Sequence, residues 1–172
     1  SNLSGGHSGG DIHEGRANSN KLLARFLFRL TCDETVTLAE ISGGNLRNAI
    51  PRAAHAVFGV PSSKKENVIV AFNEFVAAVE NEYKATDPGM KITIESVDKP
   101  QYAIDSTTSL NLIRALYACP HGVISMSHDL EGLVETSTNL AAVKMQPDST
   151  ILVTTSQRSS VESRKWDIAR QV

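Results

Sequence analysis

The chain is 172 residues long, 41% hydrophobic and 21% charged, with a formal net charge of −2. That length fits one compact domain or two small halves sharing a core, and the balance excludes a disordered chain, a coiled coil and a collagen-like repeat. No apolar run approaches the roughly 18 to 20 residues that cross a bilayer, and the near-neutral charge leaves no electrostatic footprint for nucleic acid or anionic lipid, so neither a membrane nor a nucleic acid is an expected partner.

Two cysteines, Cys32 and Cys119, are too few for a disulfide framework and too far apart for a zinc knuckle, which makes a reducing, cytoplasmic home the default. Leu22, Leu23, Phe26, Leu27 and Leu30 recur at helical spacing and predict an amphipathic helix over about 15–30. Thr35–Ser42 alternates enough to read as a strand, ending at the turn Gly43-Gly44-Asn45. A second strand is expected over about 52–58, stopped by Gly59-Val60-Pro61. Ser63 and Glu66 have the spacing of a capping box, and Val68, Phe72, Phe75, Val76, Val79 and Tyr83 then form a helical stripe ending at Asp87-Pro88-Gly89. Ile92 and Ile94 alternate in an expected strand of about 91–98. Asp105 or Ser106 caps a helix carrying Leu110, Ile113 and Tyr117, which ends near Cys119-Pro120. Strands over about 136–146 and 150–158 flank the turn Gln146-Pro147-Asp148-Ser149. A last helix opens at about 160 from a second capping-box spacing, Ser159 to Glu162, with Val161, Ile168 and Val172 near one face.

From residue 91 the order is strand-helix-strand-strand-helix, and the first half would match it with a strand before residue 5. The fold expected is therefore α+β, a mostly antiparallel sheet with helices on one face, built from two ferredoxin-like halves at 1–90 and 91–172. The chain opens without Met on a Gly-rich turn, and the last helical pattern is still running at Val172; both ends read as cut from a larger protein.

The segment Gly5-Gly6-His7-Ser8-Gly9-Gly10 is the most unusual. Glycines on both sides let the backbone approach a ligand and expose the imidazole, which can donate to a developing oxyanion; the plain alternative is a flexible turn with an incidental His. His7, Asp11 and His13 have donor types of a zinc site, but a Gly-Gly pair separates the first two and no fourth ligand is evident, so no metal is expected here. Asn48, before Ala49-Ile50-Pro51, either satisfies local backbone or presents its amide to a ligand. Arg158, at a strand end, has the donor fork that suits a carboxylate, against the plain reading of a surface arginine. No Gly-x-Ser-x-Gly elbow supports Ser8 as a nucleophile.

Four stretches together resemble a known family: Gly5–His13, Asn18–Leu27, Gly43–Arg52, and Gly132-Leu-Val-Glu-Thr-Ser-Thr-Asn139-Leu. They are similar, in order and over essentially the whole chain, to the lid domain of the Xaa-His dipeptidases (aminoacyl-histidine dipeptidases, peptidase D), in the dizinc metallopeptidase clan. The resemblance implies a lid, 1–172, that closes over a dipeptide held by a catalytic domain formed by chain on both sides. Two zinc ions and a general-base Glu belong to that catalytic domain. It implies that His7 stabilises the oxyanion of the tetrahedral intermediate, that Asn48 helps hold the substrate, and that Arg158 binds the substrate's C-terminal carboxylate.

The His-x-Asp motif that begins the family's zinc ligands does not occur in this sequence, and the general-base Glu has no match. The chain alone is thus expected to be inactive and to hold no zinc. Expected partners are the parent catalytic domain and the dipeptide, with a homodimer also a candidate. Two other readings stand beside this one: a free-standing small-ligand-binding or regulatory module, and a self-sufficient metalloenzyme built on His7, Asp11 and His13.

Overall fold

The computed structural model describes residues 1–172. Its first helix, α1 (Ser19–Asp33), begins four residues later than the apolar spacing suggests. A single 3-10 turn at Ile12–Glu14 ends on Gly15 at φ 67°, a left-handed conformation from which a helix cannot continue. Asn18 then caps α1, its side-chain oxygen accepting from the amides of Asn20 and Lys21. Leu22, Phe26, Leu27 and Leu30 bury along one face, each contributing about 1.5–3 kcal/mol.

β2 (Thr37–Gly43) and β4 (Ala54–Gly59) follow, separated by the two-residue strand β3 (Ala49–Ile50), which pairs with β1 (Gly6–His7). α2 (Lys65–Tyr83) presents the stripe read from the sequence, with Val68, Phe75 and Val79 buried. Its expected capping box does not form. The Lys64 amide donates to Pro61 O, so the chain is already turning through Ser62–Lys64, and Ser63 lies inside that turn. Phe26 of α1 meets Phe72 and Phe75 of α2 and Phe58 of β4, with centroids 5.2–6.4 Å apart.

The strand expected over 91–98 is absent. Ile92 and Ile94 do pack against the core, but residues 92–103 make no backbone–backbone hydrogen bond. Backbone bonds tie the strip down at its two ends, where Lys91 exchanges bonds with Ser1 and the Ile104 amide donates to Leu38 O. Alternation buried the side chains without supplying a ladder partner. α3 (Ser106–Ala118) is capped by Asp105, whose carboxylate accepts from the Thr108 amide. The sequence reading missed β5 (Gly122–Met126), whose few apolar residues sit between Pro120 and a polar loop.

β6 (Val134–Met145) and β7 (Ile151–Ser159) match their expected positions closely. α4 (Glu162–Gln171) follows without its capping box, because Ser159 is still in β7: its hydroxyl pairs with that of Thr136 and accepts from the Val161 amide, not from an amide inside α4. All strand pairs are antiparallel, and the fold is α+β. β7 runs along one edge of β6; along the other, β5 pairs with the first half of β6 and β2 with its end, with β4 beyond β2. β2 from the first half of the chain and β6 from the second thus share one sheet. Between β5 and β2 the ladder has a gap, and the side chains of Asn18 and Asn20 fill it by donating to Leu140 O. β6 is buried from Glu135 to Val143, which makes it the rigid centre on which the site is built.

Candidate functional site

The site is assembled where β1 and β3 zip together. Gly6 faces Ile50, His7 faces Ala49, and the Ser8 amide donates to Asn48 O at 2.9 Å. This brings the segments of His7 and Asn48 side by side along an open groove of about 1140 Å³, also bordered by Asn45, Arg52 and His55. The groove is large enough for a small peptide.

Within it the His7 backbone is pinned from both sides by Asp11. The Asp11 carboxylate accepts from the His7 amide at 2.7 Å, and the Asp11 amide donates to His7 O at 2.8 Å. Arg16 donates to Gly5 O and lies 3.8 Å from the Asp11 carboxylate. The His7 ring itself is exposed, and its Nδ1 receives the amides of Gly9 and Gly10 at 3.2 and 3.1 Å. Ser8 is 2% exposed, which removes it from the reach of a substrate and agrees with the missing nucleophile elbow.

Arg158 arrives from the far end of β7, opposite Ser137 of β6. Its exposed guanidinium forms no hydrogen bond or ion pair within the chain. A Cβ placed on Gly9 would stand 3.1 Å from the Arg158 guanidinium carbon and 3.1 Å from His7 Cε1, so imidazole and guanidinium border the same few ångströms of space. Of the three residues picked from the sequence, His7 and Asn48 border the groove and Arg158 meets His7 over Gly9, so the set offers an imidazole, an amide and an unpaired cation. Such a set can hold an anionic oxygen and a carboxylate at once.

Sequence reasoning missed what holds this set in place. Asp87, read as the end of a helix, is buried and uses both oxygens, accepting from the Ser4 amide at 2.7 Å and the Ala17 amide at 2.8 Å. It ties the chain on either side of the Gly5–Gly10 loop to the end of α2. Asn139, fully buried in β6, donates to Ala49 O at 2.8 Å and so anchors β3 to the strand that carries β7 and Arg158. A polar residue at the edge of the apolar run Leu140–Val143 was the available signal, since such a residue stays buried only with a partner.

Behind Asn139, His121 packs with its Nδ1 3.2 Å from the Asn18 side-chain amide. Burial, with the Lys21 ammonium adding to it, pushes its imidazole down to about 4 from 6.5. Lys21 caps the end of α3 by donating to the carbonyls of Leu116, Tyr117 and Cys119. The unfolded chain binds a proton on His121 below pH 6.5 while the folded chain refuses it until about pH 4. Stability from this group is complete above pH 6.5 and is lost as pH falls toward 4, by up to about 3 kcal/mol. Urea midpoints measured across that window should fall in the wild-type chain and fall less in His121→Gln.

The residues present do not fit a metal ion. No group of three His, Cys, Asp or Glu side chains converges on one. Asp11 Oδ2 is spent on the His7 amide, His7 Nδ1 on two glycine amides, and His13 lies 4.0 Å from Glu14. The self-sufficient metalloenzyme reading fails on this geometry.

Residues 1–87 match the peptidase dimerisation domain family. Over 163 residues the chain is 37% identical to the cytosol non-specific dipeptidase of Escherichia coli (strain K12), covering 95% of this chain and 33% of that protein. The crystal structure of aminoacylhistidine dipeptidase from Vibrio alginolyticus superposes with a TM-score of 0.93 at 34% identity, covering 98% of this chain and 34% of that one. The chain thus spans about a third of the length of the relatives it matches. No helix is long and apolar enough to cross a membrane.

Proposed function

The chain belongs to the M20 peptidase dimerisation-domain family, and from that membership we propose that residues 1–172 are the substrate-clamping lid of a zinc-dependent, cytoplasmic dipeptidase acting on Xaa-His-type dipeptides. The observation that carries this reading is the convergence of His7 and Arg158 over Gly9. Cleavage of a peptide bond places negative charge on the carbonyl oxygen, and an N–H aimed there stabilises the transition state more than the ground state. A dipeptide also ends in a free carboxylate close to the scissile bond. His7 donates to the oxyanion, Arg158 grips the carboxylate, and the Asn48 amide holds the intervening substrate. The relatives' names and the open groove that β1 and β3 border support the same assignment.

The two zinc ions and the catalytic domain are assigned to chain outside these residues, since no three ligand side chains converge within them. The domain is also a candidate to join two copies of the parent protein, as the family description indicates.

The test is hydrolysis of an Xaa-His dipeptide by the longer protein, by the 172-residue chain alone, and equilibrium dialysis of that chain against zinc. The expected result is metal-dependent turnover by the longer protein, with neither turnover nor stoichiometric zinc for the chain. A longer protein that hydrolyses no dipeptide, or a chain whose one tightly bound zinc disappears with His7→Ala, would overturn the assignment.

A further inference from the structure

The His7 ring is held in an unusual way for an exposed imidazole. Two consecutive backbone amides, from Gly9 and Gly10, point at Nδ1 from 3.2 and 3.1 Å. A nitrogen that accepts two N–H groups presents its lone pair; a hydrogen on that nitrogen would face two amide hydrogens. In a histidine the hydrogen bond made by one ring nitrogen sets which nitrogen carries the proton. We infer that the Ser8–Gly10 turn is a tautomer lock, holding the His7 ring with Nδ1 as acceptor and Nε2 as the donor, aimed at the carbonyl oxygen of a bound peptide. The lock itself stands on the geometry alone; the aim at a peptide oxygen rests on the reading of the chain as a lid.

Three features make this a built arrangement. The His7 backbone cannot drift, because Asp11 engages its amide and its carbonyl together. The same strand is zipped to β3 by the Gly6–Ile50 and His7–Ala49 register. Finally, the two glycines are unequal. A Cβ on Gly9 would stand 3.1 Å from both the His7 ring and the Arg158 guanidinium, tighter than an ordinary contact, whereas a Cβ on Gly10 meets only His7 Nδ1, at a comfortable 3.8 Å. Gly9 is therefore a positioning residue whose missing side chain lets ring and guanidinium close on one ligand. Gly10 supplies an amide that any residue could supply. Ordering the donor beforehand removes the reorganisation that a freely flipping imidazole needs at the moment of reaction.

The test begins with nitrogen-15 labelled histidine and backbone in the 172-residue chain, at a pH where imidazoles are neutral. His7 should show one tautomer, with Nδ1 unprotonated, and through-hydrogen-bond nitrogen–nitrogen couplings from the Gly9 and Gly10 amides. The exposed His128 in the same spectrum gives the tautomer mixture of a free ring. A His7 that shows the same mixture as His128, without those couplings, overturns the lock. In the longer protein, Gly9→Ala should lower kcat/KM about tenfold or more while Gly10→Ala stays within about twofold. Equal effects of the two overturn the positioning role of Gly9. A locked tautomer together with a His7→Ala enzyme of full activity would leave the lock standing and remove its catalytic aim, so the two failures are told apart.

Discussion

His7→Ala in the longer protein lowers kcat by about 10² to 10³, leaving its metal content unchanged. The size of the effect follows from what the ring does. A preorganised donor next to a developing negative charge is worth about 2.7–4 kcal/mol in a site that excludes water. Alanine removes the donor while Asp11 still holds the amide and carbonyl of residue 7, and the only bonds lost with the ring are those of the exposed Gly9 and Gly10 amides. The metal should be untouched because no three His, Cys, Asp or Glu side chains of this chain converge on one point. Single-turnover and steady-state rates, with metal analysis of the same preparation, check this. An unchanged kcat would refute the oxyanion role, and a loss of metal would place His7 in a different site.

Asp87→Ala is the substitution expected to cost most in stability, about 3 to 4 kcal/mol. The buried Asp87 carboxylate is the sole side chain serving the Ser4 and Ala17 amides, at 2.7 and 2.8 Å. A buried amide left without an acceptor costs about 1–3 kcal/mol; the Ala17 amide is buried and the Ser4 amide partly so, and alanine cannot reach either one. Asp87→Asn keeps a single oxygen and should lose about half as much. The consequence reaches the site, since Ser4 and Ala17 lie on either side of the loop that carries His7. Urea unfolding measures the loss, and faster exchange of the Ser4 and Ala17 amides locates it. A cost under about 1 kcal/mol for Asp87→Ala would show that these amides find other partners.

The helices and the long hairpin β6–β7 were legible because burial imposes a period that the sequence repeats, as in Val68, Phe75 and Val79 of α2. Asp105 was legible as a cap because its side chain acts on the amide of a residue three positions on. The misses have a common physical origin. The strand expected over 91–98 has the alternation but no neighbouring edge, and alternation reports which side chains are buried, not which backbone is paired. β1 and β3 are two residues each, too short for any period, yet they bring the site together. Both Ser capping boxes matched the motif and failed, because a preceding 3-10 turn or strand had already placed the serine elsewhere.

The site residues were legible in a different way. His7, Asn48 and Arg158 were chosen as candidates from motifs; His7 and Asn48 border one groove, and His7 and Arg158 stand on either side of Gly9. Their supports could not be named. Asp87 serves amides at Ser4 and Ala17, and Asn139 serves Ala49, and only the fold makes such distant residues neighbours.

The claim at the centre of this account is that Arg158 and His7 grip one dipeptide, at its C-terminal carboxylate and at its scissile carbonyl. The most direct measurement is kcat/KM for a dipeptide and for its C-terminal amide, in the longer protein and in its Arg158→Ala variant. A guanidinium with no partner of its own forms charge-assisted bonds to a carboxylate that an amide cannot match. The wild-type protein should therefore prefer the free acid. Arg158→Ala should abolish that preference, chiefly by raising KM for the acid, with the amide hardly affected. A variant that weakens acid and amide equally, or that keeps the wild-type preference, would contradict carboxylate recognition and with it the shared grip.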